Sequence, residues 1–478
     1  MNKKATCGVI ILAAGLGKRM CSPLPKVLHP IGGKPLLFHV LSQVFSAIPN
    51  ARVAIVVGHG KEKVEASIRG EPQFHNHSID FIVQPEQRGT GDAVRCAVES
   101  LWGQSVITQG GAILILPGDV PLITSELIQQ MTLPLKPAAA LRLLSCTLSN
   151  PTGYGRVVRH KEGSPILRIV EEKDSSHQEK AVQEVAVSIY LFQSHFLAQK
   201  LSLLSNQNAQ GEYYLTDLVE HASRSQLEID SLVWKNDEEL QGVNDLWELS
   251  QANHKLNQRC LMRWAKKGVY FMDIQGTWVD VTVEFEPGVT VSSGAILRGK
   301  TKIGEGSVIG AGVCLQDMEI GRDVHLKAGT VAECSIVREG AQIGPYAHLR
   351  PYSVIEKFAK VGNFVELKSS RLGEGSKISH LSYLGDAEVG NNVNIGCGFV
   401  TCNYDGRTID GERKHRTIIE DGVFLGSDCQ TVAPVRIGKG AYVASGSTIT
   451  EDVPAESLAI ARSRQINKPD YARKLKEK

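Results

Sequence analysis

From Val337 onward a short aliphatic side chain returns every six residues, at Val337, Ile343, Leu349, Ile355, Val361 and Leu367. The ladder slips by one residue and resumes at Leu372, Ile378 and Leu384, then slips again and resumes at Val389 and Ile395. Glycine follows many rungs, as in Ile343-Gly344, Val361-Gly362, Leu384-Gly385 and Ile437-Gly438. This period fits neither an isolated helix nor an alternating strand. It is the period of a parallel β-helix, in which three short strands make one triangular coil and the rungs of stacked coils form the core. Irregular strands of a β-sandwich match it over a few turns, but not over the whole stretch from Val337 to Arg462. Coils stacked at the ~4.8 Å spacing of neighbouring strands build a stiff prism, whose long flat faces suit burial in a trimer.

At 478 residues the chain is too long for one hydrophobic core, so two or three domains are expected. A net charge of +2 gives no surface for wrapping a polyanion, and there is no apolar run of about 18 residues to cross a bilayer. Neither a nucleic-acid partner nor a membrane is expected. The ten cysteines form no CxxC pair and no metal-like spacing with His, and read as the reduced thiols of a cytoplasmic protein. Met1-Asn2-Lys3-Lys4 and the apolar run to Ala14 have the outline of a secretion signal. Gly8 interrupts that run, which leads directly into Gly15-Leu16-Gly17-Lys18-Arg19.

Residues 7–14 are a continuous apolar run, the pattern of a parallel strand covered on both faces. Val53–Val57, Phe81–Val83 and Ala112–Leu116 repeat it, with helical segments at Leu36–Ala47 and Gly91–Leu101 between them. The alternation predicts an open α/β sheet, whose ligands sit at the carboxyl ends of the strands. The first loop there, Leu12-Ala13-Ala14-Gly15-Leu16-Gly17-Lys18-Arg19-Met20 with Pro25-Lys26 beyond, offers glycine amides and the cations Arg19 and Lys26 to phosphates. Alone, such a stretch is also an ordinary tight turn. In the second, Gln84 and Gln87 can bond the edges of a pyrimidine, and Gly89-Thr90 can hold base or ribose or simply cap a helix. In the third, Pro117-Gly118-Asp119, the carboxylate suits Mg2+ or an ordinary turn. The fourth, Pro151–Arg156 with Ile169–Asp174, reads by itself as a hairpin with a charged strand. A helical pattern follows at Leu246, Leu249, Leu256, Cys260 and Trp264. Asn244 is its expected N-cap, Trp247 excludes a full capping box, and Gly268 can end it. The expected organisation is a first domain over 1–246, a connecting helix over 247–268 and a repeat domain over 269–478, whose array opens at Gly276-Thr277-Trp278-Val279.

Polar residues interrupt a repeat that needs only small aliphatics, at Arg350, Lys368, His380, Tyr383, Asn394 and Asn403-Tyr404. Arg350 and Lys368 are one coil apart, which would set two cations on one edge for a phosphate. After Tyr404 the hexads break into the basic segment Arg407–Arg416, expected to be an external loop.

Gly15-x-Gly17-x-Arg19-Met20 with Pro25-Lys26 is similar to the sugar-1-phosphate nucleotidyltransferases. Leu24-Pro25-Lys26-Val27-Leu28-His29, and the order of motifs in both halves, resemble the bifunctional N-acetylglucosamine-1-phosphate uridylyltransferase/glucosamine-1-phosphate N-acetyltransferase family, from about Gly8 to Arg462. The resemblance implies a Rossmann-like α/β nucleotidyltransferase domain, a connecting helix and a left-handed parallel β-helix of hexapeptide repeats. It implies acetylation of glucosamine 1-phosphate from acetyl-CoA, then transfer of UMP from UTP to N-acetylglucosamine 1-phosphate with release of pyrophosphate, for bacterial envelopes. By the same resemblance Leu12 to Gly15, Arg19, Lys26, Pro117 and Gly118 belong to the nucleotide site, Gln84, Gln87, Gly89 and Thr90 contact uracil, Gly155 and Glu171 contact the sugar, and Lys173 lies near phosphate. Asp119 and Asn244 would hold Mg2+. Arg350, Lys368, Tyr383 and Asn394 would hold glucosamine 1-phosphate, and Cys397, Asn403, Tyr404, Ser427, Ser445 and Arg462 acetyl-CoA. Among acyltransferases of this class an alkylammonium must lose a proton before it attacks the thioester, and His380 is the expected base. A homotrimer with acetyltransferase sites between subunits is implied as well. The chain departs from the family at Ala186-Val187-Ser188, where Asn-Thr-Gly or Asn-x-Gly is usual and the Asn contacts sugar. Lys18 replaces a common Thr, Pro117 occupies a variable position, and residues near Thr408–Glu412 lengthen the loop after Gly406. An alternative is an acetyltransferase whose nucleotidyltransferase domain has altered sugar specificity or low activity.

Overall fold

Continuous apolar runs need cover on both faces, and those of the first half obtain it as neighbouring strands of one sheet. The computed structural model describes residues 7–476 except 162, 407, 409, 410 and 412. The chain divides into two compact units, Met1–Leu256 and Asn257–Lys478. In the first, β1 (Gly8–Ala13) pairs in parallel with β2 (Arg52–Val57) and β4 (Ala112–Pro117), and β3 (Ser78–Val83) pairs with β2. Phe81–Val83 is the end of an edge strand, with Val83 exposed, rather than a run buried on both faces.

Five further strands extend the sheet beyond β4: β5 (Ala139–Thr147), β6 (Gly155–Arg159), β7 (Ile166–Val170), β8 (Glu184–Gln193) and β9 (Glu228–Val233). The order is β9-β5-β8-β4-β1-β2-β3, with β8 antiparallel to both β4 and β5, and with β6 joining β8 to β7 as a hairpin. The sheet is therefore mixed. Helix α1 (Leu36–Ala47) spans the predicted segment and buries Leu37, Val40, Leu41 and Val44. The helix predicted over Gly91–Leu101 is instead two, α2 (Thr90–Glu99) and α3 (Leu101–Gln109). Ser100 divides them, because its hydroxyl accepts the Gly103 N–H and caps α3. A further helix, α4 (Asp217–Arg224), buries Leu218, Val219 and Ala222.

The predicted connecting helix is α5 (Leu246–Ala265). Its first turns pack Leu249, Ala252 and Leu256 with Ile31, Leu36, Leu122 and Val243 of the first unit. Its cap is not Asn244. Asp245 Oδ1 accepts the Glu248 N–H at 2.8 Å, and Glu248 Oε2 accepts the Asn244 N–H at 2.6 Å. The acidic pair Asp245 and Glu248 satisfies the orphan amides and leaves the Asn244 side chain free for other work. At the far end Gly268 takes φ 93°, and its N–H bonds back to Ala265.

The second unit is the predicted prism. Among the described residues its short strands stack in parallel into three faces of eleven, ten and nine strands. Every rung from Val337 to Ile395 is fully buried in one continuous core. The slips in the ladder are coils one residue shorter: Lys360 pairs with Lys377 and Val354 with Arg371, whereas His348 pairs with Glu366. The array opens at Tyr270–Phe271, earlier than predicted, because the aromatic Phe271 occupies a rung and hides the aliphatic period. The excursion after Tyr404 lies between strands Val400–Cys402 and Thr417–Ile419. Parts of the predicted loop Arg407–Arg416 lie outside the described residues. Register survives it, since Asn394 pairs with Phe424. Successive corners also carry bulky residues in the left-handed region. Tyr346, Phe364 and Leu381 take φ of 53°, 54° and 47° and are all exposed. The rings of Tyr346 and Phe364 stack 5.6 Å apart.

Candidate active sites

In the first unit the loops at the carboxyl ends of the strands surround a cavity of about 830 Å³. Every residue that the resemblance assigns to nucleotide or sugar lines it, except Gly118. Gly118 is buried behind the wall, where its N–H bonds Leu12 O at 2.9 Å and ties the end of β4 to β1. Gly17 brings the two parts of the first loop together. It takes φ 58°, and a Cβ there would sit 2.8 Å from the Lys26 Cβ, so only glycine lets the chain pass this close. A Cβ at Gly15 would meet nothing within 4 Å, so that backbone faces open space.

The Lys26 ammonium is ion-paired with Asp119 and donates to Asn244 Oδ1 at 3.1 Å. Val243 N–H bonds Asp119 O at 2.9 Å, which draws the segment before α5 alongside the end of β4. Asp119 and Asn244, far apart in sequence, thus converge on one cation. Among the described residues no group of three or more His, Cys, Asp and Glu side chains is placed to hold a metal. A carboxylate and an amide oxygen on the wall of the cavity are nevertheless oxygen donors of the kind that fit Mg2+.

The second loop differs in detail from its sequence reading. The Gln84 amide nitrogen is taken up by Gly89 O at 3.1 Å and Asp92 Oδ2 at 2.9 Å, leaving its oxygen as the acceptor. Thr90 is the first residue of α2 and does not cap it; its hydroxyl accepts the Leu215 N–H at 3.2 Å. Glu171 is held by the Thr216 hydroxyl at 3.1 Å, and burial pushes its carboxyl above the usual range. Lys173 bonds Gln210 and is not part of the cavity wall. Ala186, Val187 and Ser188 line the cavity, as do Lys18, Tyr190 and Thr216. Nothing in the sequence around Thr216 signalled its place.

In the second unit Arg350 and Lys368 do stack on one face, and Tyr383 stands in the coil above them. Arg350 is not a free cation: Glu366 Oε1 lies 2.8 Å from its guanidinium and holds its pKa above the ordinary value. Gly385 leaves room for the Tyr383 hydroxyl and the Asn403 amide, since a Cβ there would lie 2.3 Å from one and 2.6 Å from the other. Asn394 lies on the neighbouring face. His380 is exposed at the end of a strand of that face, its Nδ1 2.5 Å from Asn363 Oδ1. An amide oxygen only accepts, so Nδ1 carries a proton, and in the neutral ring that tautomer leaves the lone pair on Nε2. Asn363 went unassigned in the sequence; its pairing with His380 across one coil was the signal for it.

Residues expected to meet acetyl-CoA run up the same edge. Extending the strand register past His380 brings Cys397, Ser427 and Ser445 above it, one per coil. Their backbones are linked as the coils are, with Asp428 N–H on Cys397 O and Gly446 N–H on Ser427 O. Arg462 follows beside Gly446. Asn403 is buried against Asp386, and Tyr404 is exposed under the Lys414 ammonium.

The MobA-like NTP transferase domain family matches residues 9–153, a family of bacterial transferase hexapeptides matches 416–451, and a hexapeptide repeat of succinyl-transferase matches 300–332. The Bifunctional protein GlmU of Shouchella clausii is 43% identical over 97% of this chain and 98% of its own. Those of Trichlorobacter lovleyi and Pelobacter propionicus are 43% and 44% identical, over 99% and 98% of both chains. The chain belongs to the GlmU family. Membership makes it a bifunctional transferase of cell-wall precursor synthesis, a uridylyltransferase in its first half and an N-acetyltransferase in its second. Among the described residues no helix is long and apolar enough to cross a membrane.

Proposed function

We propose that the cavity of the first unit joins UTP to N-acetylglucosamine 1-phosphate, and that the His380 edge of the second unit makes that sugar phosphate from glucosamine 1-phosphate and acetyl-CoA. The observation that carries the reading is the convergence of Lys26, Asp119 and Asn244 in a cavity lined by the glycine loop. A sugar phosphate is already ionised near neutrality, so it needs no base. Its oxygen attacks the α-phosphorus of UTP while the bond to the β-phosphate breaks and pyrophosphate leaves. The task of the chain is to hold several anionic groups together. Arg19, Lys26 and the amides at Gly15 and Gly17 would position and neutralise them, and Gln84 and Gln87 would orient the base. Asp119 and Asn244 would hold Mg2+, which supplies further neutralisation of the phosphates when bound.

In the second unit the Nε2 lone pair of His380 takes one proton from the sugar ammonium, the freed amine attacks the thioester carbonyl, and the C–S bond breaks as the leaving CoA thiolate takes up the second amine proton. Asn363 keeps the imidazole in the tautomer that can do so. Lys368, Arg350 and Tyr383 would bind the sugar phosphate with Asn394. Cys397, Asn403, Tyr404, Ser427, Ser445 and Arg462 would line the path of the acetyl donor in the cytoplasm. A homotrimer is supported by the exposed, left-handed Tyr346, Phe364 and Leu381 beside His380, since bulky residues in that conformation are strained and gain nothing from water.

A second reading, altered sugar choice in the first reaction, is favoured by Ala186 and Ser188 in the cavity wall. Ser188 takes φ 58°, where the family glycine sits more easily. The test is pyrophosphate release from UTP with a series of sugar 1-phosphates, beside thiol release from acetyl-CoA with glucosamine 1-phosphate. Turnover of N-acetylglucosamine 1-phosphate well above other sugars supports the first reading; a different preferred sugar supports the second.

A further inference from the structure

The Tyr190 side chain lines the sugar end of the cavity with Glu171, Thr216, Ala186 and Gly155. It stands deeper in β8 than Ala186, opposite Ile115 of β4 and Leu143 of β5. The residue is 1% exposed, and its hydroxyl is buried without a hydrogen-bond partner among the described residues. Leaving a buried hydroxyl unpaired costs about 1–3 kcal/mol, so phenylalanine would be the better residue if packing were all that mattered. Glu171 is the charge that acts on this phenol: burial raises the Tyr190 pKa and the Glu171 carboxylate raises it further. Among the described residues the hydrogen bond to the Glu171 carboxylate comes from Thr216, to Oε1.

We propose that Tyr190 is a positioning residue for sugar recognition: its O–H is the donor that secures the Glu171 carboxylate when that carboxylate turns to accept a hydroxyl of the bound sugar. Two donors from the protein, Thr216 and Tyr190, then fix the carboxylate from behind, and its remaining lone pairs face the ligand. The Tyr190 hydroxyl has no partner among the described residues, so part of the sugar's binding energy comes from pairing it. The proposal rests on the uridylyltransferase reading of this cavity.

The experiment is Tyr190→Phe in the full chain, alone and combined with Glu171→Gln, with KM measured separately for N-acetylglucosamine 1-phosphate and for UTP. Tyr190→Phe should raise the KM for the sugar phosphate about tenfold and leave that for UTP unchanged. In the Glu171→Gln background it should add little, because the hydroxyl acts through the carboxylate. Melting of the ligand-free variant should be unchanged or higher, while stabilisation by added sugar phosphate should shrink. An unchanged KM, an equal effect in both backgrounds, parallel changes in the two KM values, or a lower melting temperature would each overturn the proposal. If wild type releases no pyrophosphate from UTP with any sugar phosphate, it is the reading of the cavity that fails, not the role of Tyr190.

Discussion

The proposed use of the His380 imidazole as a base depends on Asn363 accepting a hydrogen bond from its Nδ1–H, and that bond can be tested one atom at a time. Asn363→Ala should lower kcat for acetyl transfer roughly 10- to 100-fold with little change in the KM for acetyl-CoA, since a free ring loses tautomer and orientation. Asn363→Asp should move the acid limb of the pH–rate profile to higher pH, because a carboxylate there favours the charged ring. A profile unchanged in both variants would remove Asn363 from the mechanism. A second residue, Asp217, makes stability depend on pH. Burial, with Glu220, Glu171 and Asp174 nearby, pushes its carboxyl up to about 6 from an ordinary 3.8. Between those values the folded chain keeps a proton that the unfolded chain has released, so stability falls as pH rises through the window. Asp217→Asn should therefore raise stability at pH 7.5, by about 1 kcal/mol once partial exposure is allowed for, and give no gain at pH 4. Denaturant melts at the two pH values decide it. The sequence singled out Lys26 and Asp119, which the structure brings to one cavity, and His380, which interrupts a repeat that needs only small aliphatics. It concealed Tyr190 and Thr216, since a tyrosine within an apolar strand and a threonine before a helix look like ordinary packing and ordinary capping.

At the level of elements, the prism was legible because its period is repeated many times, whereas of the far side of the first sheet only the β6–β7 hairpin was. Strands β5 to β9 are joined by hairpins and a reversal of direction, and their burial depends on partners distant in sequence. The boundary at Ser100 was missed for a different reason: Ser within a helical pattern signals a cap only when the next turn needs one. The prism has its own test at Gly362. A Cβ there would lie 1.8 Å from the Ser379 carbonyl oxygen, so Gly362→Ala must push one coil off the next. The substitution should lower the stability of the repeat unit by several kcal/mol and, through Asn363 and His380 one and eighteen residues on, abolish acetyl transfer. Pyrophosphate release should survive. Loss of both activities together would show that the two units do not fold independently.

For the whole molecule the claim is that two chemistries share one chain without sharing residues. His380→Ala should abolish thiol release only, and Asp119→Ala should lower pyrophosphate release at least a hundredfold with thiol release intact; each variant assayed for both reactions is the check. Sedimentation should give three times the 52.0 kDa of one chain, and Phe364→Asp should reduce that mass by placing a charge among corner rings that water does not favour. The excursion between Cys402 and Thr417 has a consequence for how such a protein can vary. Because Asn394 and Phe424 remain neighbours on either side of it, a corner of the stack can swell into a long arm without disturbing the layers above or below. The number and charge of the residues inserted there are thereby free to change while the scaffold stays as it is.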